Sequence, residues 1–313
     1  MPTTRNLCLL TFSICISPFL FSCATSPEAL STKAEMRMER AAELLAKRTD
    51  ADSQAAAALL VAGKHAGQSL RLVAQASFVA PERADLVWLH IQFCQADASC
   101  DPEPREGQFR LLDKANGAGW LGALARANKR SDEQSKSAAL AAIGRSDRLD
   151  IYWTTLIARL SHPIASTKVV SLAEAEIYVI GVLAAETISA YQVLSNACKG
   201  ERLRHDDVVE TCRGIANALL QGDTTITEMM GAAIAKRVWP ENSTKWVEAD
   251  EARRIWDYRA QLLIHAETWV LAHPSDYLTL CEQNHREHDL IKAELIASGK
   301  NSDPPPIKNG SIQ

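Results

Sequence analysis

The chain has 313 residues, 47% of them hydrophobic, with 34 basic and 38 acidic side chains and a formal charge of −4. That length and apolar content suffice for one long domain or two smaller ones. The mildly acidic balance excludes a nucleic-acid binder built on a clustered basic face. No stretch sustains the alternation of β-branched and polar residues that marks strands. The expected class is therefore all-α, with helical-hairpin repeats stacked as an α-solenoid and then a C-terminal helical bundle.

At the start, Arg5 precedes an apolar run from Leu7 to Phe21. It is shorter than the roughly 20 residues a membrane-spanning helix needs and has the length of the apolar part of an export signal. Pro18 would also disturb a membrane helix. The run ends on Leu20-Phe21-Ser22-Cys23, which resembles the lipobox of bacterial lipoproteins, with Phe21 where that family usually has a smaller or aliphatic residue. The resemblance implies a signal peptide over 1–22 and a lipid on Cys23. With Ala24 rather than aspartate after the cysteine, it further implies an outer-membrane anchor facing the periplasm. The alternative is an ordinary signal peptide cut after Ala24 and a soluble periplasmic protein. Residues 23–45 then read as a polar tether and a first helix.

Export makes the cysteines interpretable, because disulfides persist in oxidising compartments. Cys94 and Cys100 flank one polar turn and Cys198 and Cys212 another, so each pair is a possible disulfide, and Cys281 is left over.

Residues 46–165 carry a period. Trp88, Trp120 and Trp153 are separated by 32 and 33 residues, and each opens a helical pattern after a polar break. With the Trp-Leu openings and the Leu112-Asp113-x-x-Asn116 linker ahead of Trp120, this stretch resembles tetratricopeptide repeats, whose unit is a helix–turn–helix of about 34 residues. The small residue that family places four positions after the tryptophan is here Gln92, Leu124 and Ile157. The resemblance implies a concave surface for a protein partner, with His90, Gln92, Arg126 and Lys129 as candidate partner-binding residues and the three tryptophans in the core.

Residues 166–300 read as a C-terminal helical region without a visible repeat, with helices expected over 169–197, 206–220, 224–238, 245–272 and 275–298. From residue 301, polar residues and three prolines read as a disordered tail to 313. Cys281, His285 and His288 fall at i, i+4 and i+7 of the last expected helix and are candidate metal ligands by residue type. The string Gly117-Ala-Gly119-Trp-Leu-Gly122 matches a dinucleotide fingerprint, but a helix precedes it where the mechanism requires a strand, so it reads as a repeat linker. Asp206, Asp207 and Glu210 stand at a helix start, where carboxylates favour the macrodipole. No P-loop or nucleophile elbow occurs, no catalytic residue is assigned and no cofactor is expected.

The expected function is that of a cell-envelope lipoprotein, a scaffold binding an envelope protein or peptide and touching the membrane only through its N-terminal lipid. The alternative is a periplasmic ligand- or metal-binding protein, or an enzyme, using the C-terminal helices around His265, Trp269, Cys281 and His285.

Overall fold

The computed structural model describes residues 27–185 and 188–306; the expected signal peptide, Cys23 and residues 307–313 lie outside the described residues. The chain divides into two compact units, residues 1–36 and 37–313. Of the first, residues 27–36 are described and are helical. Among the described residues the fold is all-α. The helices are α1 (Pro27–Leu45), α2 (Ala51–Val61), α3 (Ala66–Val79), α4 (Ala84–Gln95), α5 (Glu103–Leu112), α6 (Leu121–Lys129), α7 (Glu133–Gly144) and α8 (Trp153–Ser166). They continue as α9 (Leu172–Ala185), α10 (Ile188–Ala197), α11 (Asp206–Leu220), α12 (Thr225–Val238), α13 (Thr244–Ala272), α14 (Pro274–Gln283) and α15 (Glu287–Ala297). Short 3-10 turns cover Gly117–Trp120 and Gly200–Arg204.

Polar side chains set several helix starts. Asp50 accepts from the Ser53 N–H at 2.8 Å ahead of α2, Asp132 from the Ser135 N–H at 3.0 Å ahead of α7, and Thr224 from the Thr227 N–H at 3.2 Å ahead of α12. Each satisfies a backbone donor that a helix start leaves open. α2 is a nearly all-buried helix in which Ala55 to Ala58 present no bulk. α3 lies close against it, and the buried Ser69 hydroxyl donates to the Ala58 carbonyl at 2.9 Å.

Successive helices pack in series, α2 on α3, α3 on α4, α4 on α5, α6 on α7 and α8 on α9, a solenoid-like arrangement. Unlike a strictly linear stack, in which each hairpin meets only its neighbours, α2 also packs on α8, α7 on α11 and α8 on α14. Residues 46–165 and 166–300 are thus parts of one body within residues 37–313. Trp88 is buried; Trp120 and Trp153 are half-buried against the same core.

Two sequence expectations change, those for the last helix and for the tail. The helix expected over 275–298 is two helices, because residues 284–286 leave the helix and are held by distant partners. Thr154 donates its hydroxyl to the His285 carbonyl at 3.2 Å, and Arg286 donates to the Leu220 and Gly222 carbonyls. The stretch expected as one helix over 169–197 is described as α9 and α10, with residues 186–187 outside the described ones. The tail is ordered over residues 301–306. Arg259 donates to the Ser302 carbonyl at 2.9 Å, Arg254 to the Pro305 carbonyl at 3.1 Å, and Ser302 is buried.

Candidate functional site

The candidate site is a trough between the α6–α7 hairpin and the α10–α11 segment. Its near wall depends on a tight reversal. Ser131 takes a left-handed φ of 56°, and the Asp132 N–H reaches back to the Ala127 carbonyl at 2.9 Å, which closes the end of α6 and turns the chain into α7. Its far wall depends on a disulfide. Cys198 at the end of α10 is bonded to Cys212 on α11, their Cα atoms 5.6 Å apart, so the 3-10 turn Gly200–Arg204 is a closed loop on the trough's edge. Glycines hold the walls at one end. A Cβ on Gly214 of α11 would collide with the Gly144 carbonyl oxygen of α7, and one on Gly144 would lie 2.8 Å from the Thr211 carbonyl.

Two adjoining compartments result, of about 470 Å³ and about 450 Å³, with Lys136, Ala197 and Arg202 common to both. The first has an apolar wall of Leu140, Ala141, Val208 and Ile215, with Glu133, Glu201 and Asp207 among its polar groups. The second is lined by the cations Lys129, Lys136 and Arg202 and the carboxamides of Asn128, Gln192 and Asn196, and no carboxylate lines it among the described residues. Lys136 sits deep: its side chain is 9% exposed, and its ammonium donates at 2.5 Å to Glu133, which is 66% exposed. That hydrogen bond holds the Glu133 carboxyl below its usual range, and the Arg202 charge adds to the effect. Among the described residues, Lys129 and Arg202 have no carboxylate within ion-pair distance. Such a site can bind an anion; three cations and three amides offer donors, and the amide oxygens offer acceptors.

The expected partner-binding residues do not share one surface. Lys129 is exposed and lines the trough. Arg126 is taken up by a bidentate pair with the buried Glu106, at 2.6 and 2.7 Å. Gln92 borders a small apolar cleft with Trp88 and Trp153. His90 is buried, its Nδ1 without a hydrogen-bond partner, and burial pushes its pKa down to about 4, so it is a neutral core group rather than a contact. Lys136 and Arg202 were not singled out in the sequence. A glutamate and a lysine three residues apart are common on helix surfaces, and Arg202 is one charge in a polar turn.

Both expected disulfides are present; Cys94 and Cys100 have Cα atoms 5.2 Å apart. The metal set is not assembled. Cys281 is buried on α14, His285 is exposed in the break and His288 is on α15, so the helix that would align them does not exist. Arg259 Nη1 can only donate, so His288 Nε2 accepts at 2.9 Å and Nδ1 carries the proton, 3.1 Å from Glu228. Both ring nitrogens are thereby engaged. Among the described residues no group of three histidine, cysteine, aspartate or glutamate side chains is placed to hold a metal. The side chain of His265 lies outside the described ones.

The glycine string also has a packing reason. A Cβ on Gly119 would lie 2.8 Å from the Phe109 ring, and one on Gly122 would strike the Glu106 carboxylate that Arg126 holds.

A second polar constellation is structural. Asp223 is buried; one carboxylate oxygen accepts the Ile151 N–H at 2.9 Å and the other the Trp153 N–H at 2.7 Å. Its carbonyl accepts the Glu287 N–H at 2.8 Å, and the Glu287 carboxylate takes the Thr225 N–H and hydroxyl, each at 2.7 Å. Burial pushes Asp223 up to about 7, with the nearby Asp150 charge adding. With backbone donors on both oxygens and its side chain buried, Asp223 ties loops together. No protein-family model matches the chain, and no curated protein or solved structure matches it either.

Proposed function

We propose that this chain is a cell-envelope lipoprotein that serves as a protein- or peptide-binding scaffold, its trough between α6–α7 and α10–α11 holding the partner. The observation that carries this reading is the trough itself: a preformed cleft, braced by a disulfide and by glycine-mediated helix contact, in which Lys129 and Arg202 have no carboxylate within ion-pair distance among the described residues. Binding to a rigid cleft avoids the ordering cost that weakens association with mobile surfaces. The lipobox-like Leu20 to Cys23 and the two disulfides support an exported, lipid-anchored chain, because such bonds persist outside the reducing cytosol. Among the described residues no helix is long and apolar enough to cross a membrane.

A photo-crosslinking residue placed at Ser137 or Gln192, both on the trough, should capture a discrete envelope protein in intact cells. The same group at Arg159, exposed on α8, should not. Equal capture at all three positions, or none at any, would reject the trough as the binding site.

A further inference from the structure

Within the trough, the two compartments differ in chemistry, and that difference identifies a ligand class. The second compartment gathers three cations with no carboxylate among its described lining residues, while the first offers an aliphatic wall next door. Lys136 and Arg202 stand at the junction and border both. The Lys136 ammonium has three donors and one described acceptor, the rim carboxylate Glu133, so it can take a second anion without breaking its existing bond. Resting on the scaffold reading above, we propose that the trough binds an acidic peptide segment. A side-chain carboxylate of that segment seats among Lys129, Lys136 and Arg202, and a neighbouring aliphatic side chain seats against Leu140, Val208 and Ile215.

Three observations favour this occupant over other anions. The carboxamides of Asn128, Gln192 and Asn196 both donate and accept, which matches a peptide backbone with its paired N–H and C=O groups. Glu133, Glu201 and Asp207 border the first compartment, so a continuous polyanion such as a nucleic acid would have to pass carboxylates to reach the cations. A peptide can instead place one charge in the second compartment and an uncharged side chain in the first. Finally, Val193 and Ala197 of α10 bring apolar surface beside the cations, which a fully hydrated phosphate cannot use.

The test is fluorescence anisotropy with the purified full-length protein and a labelled hexapeptide alternating leucine and glutamate. Saturable binding is expected. It should weaken about tenfold or more when glutamine replaces glutamate, and by a similar factor for Arg202→Gln, which removes one close charge partner. Arg202 is exposed, so this variant should keep its thermal midpoint; Lys129→Gln, also at an exposed position, is the second variant. Raising salt to about 0.5 M should weaken binding several-fold, since part of the attraction is screened. Equal affinity for the glutamine peptide overturns the proposal, as does stronger competition by inorganic phosphate or an oligonucleotide than by the unlabelled acidic peptide. If the peptide fails to bind while crosslinking from Ser137 and Gln192 still captures a partner, the ligand class falls and the scaffold reading stands. If both fail, both readings fall.

Discussion

At the scale of the residue, buried acids give this protein an uncommon pH response. Glu176 on α9 is 1% exposed and its Oε1 has no hydrogen-bond partner, so burial raises its pKa to about 8. A folded-state pKa above the ordinary 4.5 means the native state holds the proton more tightly than the unfolded chain does. The corresponding stability is complete below about pH 4.5 and is lost progressively as pH rises to about 8. Asp223, pushed up to about 7, acts in the same direction. We therefore expect the urea midpoint to fall between pH 5 and pH 8. Glu176→Gln should flatten that profile and stabilise the protein at pH 7 by roughly 3 kcal/mol, at about 1.4 kcal/mol per unit of pKa. An unchanged profile in the variant would refute the assignment. Asp223→Asn should act oppositely. The amide keeps one acceptor for the Ile151 or Trp153 N–H and turns an NH2 toward the other, a loss of about 1–3 kcal/mol by thermal or urea unfolding. Neither carboxylate stands out in the sequence, because what distinguishes them is burial by helices far along the chain. The cysteine pairs were legible, because each spans a single local turn that brings its sulfurs together.

At the scale of the element, helix spacing is set by small residues at crossings. Gly214→Ala would gain up to about 1 kcal/mol in helix propensity but forces a methyl into the Gly144 carbonyl, where only backbone could yield. Overpacking of this kind exceeds that gain at about 1–3 kcal/mol, so a lowered thermal midpoint is expected. Gly181→Ala in α9, where a Cβ meets nothing within 4 Å, should raise the midpoint, with about 1 kcal/mol of stabilisation. Opposite signs for two identical substitutions separate packing from propensity in one calorimetric comparison. Replacing Cys198 and Cys212 together by serine removes a closed loop of sequence separation 14. That should lower stability by about 3 kcal/mol and weaken peptide binding, since the Arg202 turn is no longer tied to α11. Periodicity sufficed to assign helices here, yet it ran 275–298 together. Residues 283–287 contain neither proline nor glycine, and the break is made by Thr154 and Arg286 acting across the fold.

At the scale of the whole molecule, the region with the tryptophan period and the C-terminal region interlock. Contacts of α7 with α11 and of α8 with α14 join both halves of the chain. Calorimetry should accordingly show one cooperative transition, and a fragment ending at residue 165 should lack a folded thermal transition of its own, having lost the partners of α7 and α8. Nothing in a sequence period reports such non-neighbour contacts. The proposed lipid anchor belongs to this scale too: on that proposal, Cys23→Ala should abolish incorporation of labelled palmitate in cells and release the protein from the membrane fraction. Persistent labelling of that variant would exclude Cys23 as the acceptor.

The Asp223 junction has a consequence in time. It joins the start of α8, the turn before α12 and the first residue of α15. During synthesis, the acceptor emerges about seventy residues after the first two donors and more than sixty before the last. The loops around it can meet early, but the junction closes only when Glu287 has left the ribosome. A chain that stops short of its final helix therefore carries an unfinished seam through its middle rather than a blunt end, and proteases would meet it there.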